Sequence, residues 1–138
     1  MKSKQNEDLL TGTKFSKALD KENYIIAEKL LSSDCVYHFR SKIYTGIHTI
    51  IDLYKSSGDW AAKTLDDVKY ESETELTNDN VTITFIDNIT HKGIKFTYKS
   101  RQLLFFDNSS KICKIEHIDI PGQSEKLKEY FIKIDVKR

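Results

Sequence analysis

The chain has little of several things, and each shortage excludes a class. It carries two cysteines, Cys35 and Cys113, far apart in sequence. Two lone thiols make neither a zinc ligand set nor a disulfide framework, so both read as reduced, half-buried side chains. Neither sign of charge dominates: 22 basic against 21 acidic residues leave +1. A nucleic-acid partner would favour a strongly basic face. No apolar run approaches the ~20 residues of a membrane span. The opening MKSKQNEDLL is charged and lacks a leader's apolar core, which predicts a cytoplasmic protein. With one proline and five glycines there is no linker and no repeat. What remains is 138 residues, enough for one domain with a real core.

The strongest pattern runs from Val81 to Ile120. Val81, Ile83, Phe85, Asp87, Ile89 and His91 alternate with more polar residues, the period of a strand. Lys92-Gly93 turns the chain. Ile94, Phe96, Tyr98, Ser100, Gln102, Leu104 and Phe106 return on the same face. Asp107 to Ser110 turns again, and Cys113, Ile115, His117 and Asp119 share that face on a third strand. Val68 to Leu76 alternates in the same way and precedes them, joined by a turn over 77–80. Helices are expected at Leu9–Leu19, from an Asp20 cap through Leu31, at His48–Lys55, and at Gln123–Ile134. Residues 1–8 read as frayed. Cys35 to Arg40 is a short strand in which either Cys35, Tyr37 and Phe39 or Val36, His38 and Arg40 face inward, the first set being the more apolar, and Ile43-Tyr44 is the stub of a hairpin. Ser56 to Asp59 stops the third helix and leaves Trp60 in a loop. The outcome is a single α+β domain over 1–138, a mostly antiparallel sheet covered by helices. The other face of the sheet keeps Ile86, Leu103, Phe105, Ile112 and Ile118, which predicts a homodimer through that outer face.

This order of elements resembles the nuclear transport factor 2-like, or SnoaL-like, superfamily over roughly residues 9 to 135. The likeness is carried by Ala18-Leu19-Asp20, the run Leu30 to Tyr37, Tyr44-Thr45-Gly46 before the Ile50-Ile51 helix, and Ile115 to Asp119. It implies a cone: a curved sheet wrapped around the N-terminal helices. It also implies a sheet-face dimer. Its enzymes include ketosteroid isomerases, scytalone dehydratases and polyketide cyclases, and it also holds many pocketed proteins. The tyrosine and paired acids of the isomerases do not align here, and the dehydratases' two histidines are not evident.

Simple turns set a register that predicts two rows across the inner wall: Tyr70, Asp87, Tyr98, Asp119, then Ser72, Phe85, Ser100, His117. Facing partners in such rows stand ~5 Å apart, and a bulge would shift them. A carboxylate on an apolar wall is desolvated and works as an acid or base near neutrality. A tyrosine hydroxyl can donate to an oxyanion. The polyketide cyclases' closing-strand aspartate makes Asp119 the resembling base, with His117 its partner and Asp87 the rival. Tyr70, Tyr98, Ser100, Tyr37 and Trp60 are the candidate lining. Each has a structural alternative. Asp119 can cap the last helix, Asp87 can be tied to Tyr70 or Tyr98, and His117 can be a satisfied pocket histidine. Tyr24 and Trp60 can be packing, and His91, beside its turn, is expected in solvent. Neither metal nor cofactor is called for. Two functions stay open: a cofactor-free isomerase, cyclase or dehydratase acting on a cyclic or carbonyl substrate, and a non-catalytic module of the same fold. Both would hold a small apolar or aromatic molecule.

Overall fold

A computed structural model describes residues 3–138. Helix α1 runs Lys4–Asp20 and α2 Tyr24–Lys29. Strands β1 (Leu31–Phe39) and β2 (Lys42–Thr45) form a hairpin, and α3 spans Ile47–Thr64. The meander is β3 (Asp67–Thr77), β4 (Asn80–His91), β5 (Ile94–Phe106) and β6 (Ile112–Ile118), followed by α4 (Gln123–Lys133). The six strands form one open sheet in the order β2-β1-β6-β5-β4-β3. β1 runs parallel to β6, and the other neighbours pair antiparallel. The helices lie against the concave side, as expected for a cone.

Three helix boundaries depart from the sequence reading. First, α1 begins at Lys4, not Leu9. Ser3 Oγ accepts from Asn6 N at 3.2 Å, and Lys4 pairs with buried Asp8 at 3.0 Å, so this segment is anchored rather than frayed. Second, Asp20 closes α1 instead of capping α2; Asn23 Oδ1 takes that cap, accepting from Ile26 N at 3.3 Å. The chain then enters β1 at Leu31, so Ser32 and Asp34 belong to a strand. Third, α3 passes through Ser56 to Asp59. The apolar positions Ile47, Ile50, Ile51, Tyr54, Ala61 and Leu65 continue one face at helical spacing, and Trp60 therefore sits on the helix.

The meander follows its predicted register over two of three pairings. Tyr70 faces Asp87 and Asp87 faces Tyr98. Lys92 and Gly93 both take positive φ, 53° and 76°, the two-residue turn whose twist suits a hairpin. The third pairing does not hold. Phe106 faces Ile112 rather than Lys111 at the turn, and a bulge between Phe105 and Phe106 adds a second residue, so Gln102 rather than Ser100 faces His117. The same irregularity turns Ile112 inward to full burial, removing it from the outer face.

Two apolar clusters fill the concave side. The first gathers Phe15, Ile50, Ile51, Val81, Ile83, Leu104 and Ile115. The second joins the far half of α3 and α4 to the other end of the meander through Ala61, Leu65, Ile89, Tyr130 and Ile134. They part along a polar seam. On β4, Phe85 packs on the first cluster, Ile89 belongs to the second, and Asp87 lies between.

Candidate functional site

The seam holds two partly buried carboxylates from different elements. Asp87 comes from the middle of β4. Burial chiefly, then the charge of Asp20, pushes its carboxyl up to about 6. No hydrogen bond reaches it from Tyr70, Tyr98 or any other described side chain, so the tether foreseen for it is not formed. Asp20 arrives from the last turn of α1. Its side chain is 9% exposed, Oδ2 accepts from Ser72 Oγ at 2.6 Å, and buried Oδ1 has no protein partner. Burial raises its proton affinity above the usual carboxylate value, against the Ser72 bond and Lys17. Ser72 faces Phe85, so Asp87 stands one diagonal step away across β3 and β4.

Tyr70 and Tyr98 flank Asp87 as foreseen. Burial first and then the Asp87 charge push the Tyr70 phenol up to about 12; burial likewise raises Tyr98. Ser100 is buried opposite Phe85. Trp60 packs edge-on to Phe131 at 5.8 Å with the Arg138 guanidinium 4.2 Å from its ring centre. A groove of about 250 Å³ reaches Tyr70 past Glu22, Gly58, Ala61, Leu65 and Val68.

The second polar group lies on β6. Asp119 does not join the row with Tyr98, because β6 ends at Ile118 and the bulge has shifted it. It stands at the rim, its side chain 39% exposed, and does not cap α4, whose N-cap is Gly122. Arg40 Nε and Nη2 donate to its two oxygens at 3.0 and 3.2 Å. This bond, with help from His117, holds Asp119 below the usual carboxylate range, so it is ionised at neutral pH. A desolvated base was expected at Asp119; the structure makes it a weak one.

The pairing reverses the expected roles. His117 Nε2 lies 2.9 Å from Asp119 Oδ1. An ionised carboxylate only accepts, so Nε2 carries the proton, and in the neutral tautomer the lone pair lies on Nδ1. That Nδ1 is buried without a protein partner, on a side chain 7% exposed. The imidazole leans on Phe39, ring centres 4.6 Å apart.

Tyr37 is committed elsewhere. It stacks on Tyr54 at 5.6 Å, and Gln102 bridges the two, donating to Tyr37 Oη at 2.9 Å and accepting from Tyr54 Oη at 2.5 Å. His91, expected in solvent, is 8% exposed, and its Nδ1 accepts from Asp66 N at 3.1 Å. The sequence reading missed Asp20 and Arg40. Both act over long separations, Asp20 on Ser72 and Arg40 on Asp119, and no local period encodes such contacts. Among the described residues no group of three His, Cys, Asp or Glu could hold a metal ion, and no helix is long and apolar enough to cross a membrane.

The fold is that of the nuclear transport factor 2-like superfamily. A protein of Xanthomonas campestris provisionally assigned as a polyketide cyclase superposes with a TM-score of 0.70 at 7% identity, covering 96% of this chain and 99% of its own. One from Shewanella denitrificans, provisionally a SnoaL-like polyketide cyclase, gives 0.64 at 15%, covering 88% and 97%. A protein of Catenulispora acidiphila with a ketosteroid isomerase-like fold, solved in complex with trimethylamine, gives 0.62 at 15%, covering 92% and 93%. Identities this low speak for the fold alone. No protein-family model and no curated protein matches the sequence.

Proposed function

We propose that this chain is a small-molecule pocket protein of the SnoaL-like type that transfers a proton, without a cofactor, on a cyclic or carbonyl substrate. One observation carries the reading: His117 Nδ1 is buried, unpaired, and fixed as an acceptor by Asp119 behind it. Leaving a buried polar atom unpaired costs ~1–3 kcal/mol, a cost a ligand can offset. His117 is then the proton acceptor, Asp119 the group that orients it, and Ser100 and Tyr98 the hydroxyls that face the substrate oxygen. Asp87 stands two rows along the wall, about 13 Å by strand rise, and so meets a different part of the molecule. Trp60 and Tyr70 line the way in. The bound trimethylamine of the Catenulispora protein is a precedent for a small ligand on this fold. A cytoplasmic setting belongs to the proposal and suits free Cys35 and Cys113.

The second reading, a binding module without chemistry, draws on Tyr37, Tyr54 and Gln102, which fill the narrow end with their own hydrogen bonds. One experiment separates the two. A thermal-shift screen of carbonyl and aromatic metabolites supplies binders, and NMR then follows deuterium exchange beside their carbonyls. Proton transfer predicts exchange that His117→Gln slows by ~10²-fold or more while binding persists. Binding with no exchange in the wild type leaves only the module. No binder at all removes the pocket.

A further inference from the structure

The seam's two carboxylates are unusual in what they lack. Asp87 accepts no hydrogen bond from the described residues, and Asp20 has a buried oxygen with none. Burial, and then the charge of Asp20, makes Asp87 harder to ionise. Proteins relieve such a pair with a shared proton or a cation. The surrounding side chains do not supply the cation. Lys17 Nζ is 3.9 Å from Asp20 Oδ2, half exposed, and already donates to the Ser72 carbonyl at 2.6 Å. Arg138 lies over Trp60. Glu71 on β3 adds negative charge beside Asp20. Tyr70 and Tyr98 bring aromatic rings to either side of Asp87.

We infer that the Asp20–Asp87 end of the seam binds the ammonium group of a small organic cation. The inference rests on the pocket reading above and deepens it. Among the described residues no third His, Cys, Asp or Glu joins the two carboxylates to build a calcium-type cage. They suit an ammonium, whose several N–H donors can serve Asp20 Oδ1 and Asp87 together while its carbon substituents meet Tyr70 and Phe85. His117 is then left to act on the far end of the same molecule.

The test compares phenethylammonium with 2-phenylethanol, alike in shape and different in charge, by calorimetry at pH 5 and pH 8. The ammonium should bind at least tenfold tighter than the alcohol at pH 8, and tighter at pH 8 than at pH 5, because Asp87 ionises between them. Asp87→Asn should lose at least tenfold in ammonium affinity and leave the alcohol unchanged. Asp20→Asn should do the same, with circular dichroism reporting whether it folds; if it does not, Asp87→Asn decides alone. Equal binding of both compounds, or ammonium binding indifferent to Asp87→Asn, overturns the inference and leaves the pocket standing. If the ammonium, the alcohol and the neutral metabolite screen are all silent, inference and pocket fall together.

Discussion

His117 Nε2 sits 2.9 Å from Asp119 Oδ1, and Arg40 grips both oxygens of that carboxylate from the solvent side. The pair is therefore oriented from outside the cone toward its interior. Asp119→Asn removes the obligate acceptor. The wild type should show a single His117 tautomer, protonated on Nε2, in nitrogen-15 NMR; the variant should show a mixture. An unchanged tautomer would separate Asp119 from the orientation of His117. Stability should change little. The Asp119 carboxyl titrates below its unfolded value near 3.8, so its contribution is present above that value and fades as pH falls through the folded one. At 39% exposure that contribution is under about 1 kcal/mol at pH 7, and urea melts of wild type and variant should converge at pH 2.

Asp87 has the opposite sign. Its folded value is raised from 3.8 to about 6, so the fold favours its neutral form. Relative stability from this group is full below the unfolded value and is lost as pH rises through 6. An uncharged isostere escapes that loss. Asp87→Asn should stabilise the protein by about 1–3 kcal/mol at pH 8 and leave it nearly unchanged at pH 3. A variant less stable than wild type at pH 8 in urea titration would mean that ionised Asp87 is held by the fold, against its place in the seam.

The contrast between these aspartates shows what was legible in the sequence. Alternation put both on the inner face, and the Asp87 row survived because two-residue turns at Asn78-Asp79 and Lys92-Gly93 fix its register. The Asp119 row failed because the turn after β5 takes one residue more than expected and a bulge in β6 adds another, and neither shows in a period-two pattern. Turn residues are a local signal, whereas a bulge answers to packing. Asp20 looked like a helix start by the same local logic. It ends a helix instead, and its partner Ser72 is 52 residues away.

Gly12 illustrates a local rule overridden by packing. Glycine is a weak helix former, yet α1 runs straight through it. A Cβ there would meet Val81 Cγ1 at 2.8 Å and Leu104 Cδ1 at 3.4 Å. Val81 and Leu104 are fully buried on the wall, and a β-branched side chain has little freedom to move aside. Alanine would add about 1 kcal/mol of helix propensity. Overpacking costs ~1–3 kcal/mol. Gly12→Ala should therefore lower stability by up to about 2 kcal/mol in urea titration. A gain would show that α1 can lift off the sheet.

Gln102 joins two buried phenols and has no other partner. Replacing it with Leu keeps the volume and strands the hydroxyls of Tyr37 and Tyr54. Each stranded group costs ~1–3 kcal/mol, so the loss should be about 2–4 kcal/mol. Adding Tyr54→Phe should recover part of it, since the orphaned hydroxyl goes too. Failure of the double variant to recover would place the cost in shape rather than hydrogen bonding.

The outer face of the sheet carries the expectation of a homodimer, and its residues set how strong that association can be. Ile86, Leu103 and Phe105 are half-buried there and Ile118 is 40% exposed. Ile112 no longer contributes. Lys114 lies over the Phe105 ring at 4.9 Å and pairs with Glu116 at 2.8 Å, so charge already shields part of the patch. Arg101 pairs in register with Ile118 and adds to that shield. A stable interface buries ~1,200 Å² or more, which these residues reach only if the charged neighbours are buried with them. A dimer built this way should dissociate with added salt, as buried apolar surface alone would not. Sedimentation at high micromolar concentration should show a dimer that Leu103→Lys breaks. A monomer at that concentration would mean that the outer face is ordinary solvent-facing sheet.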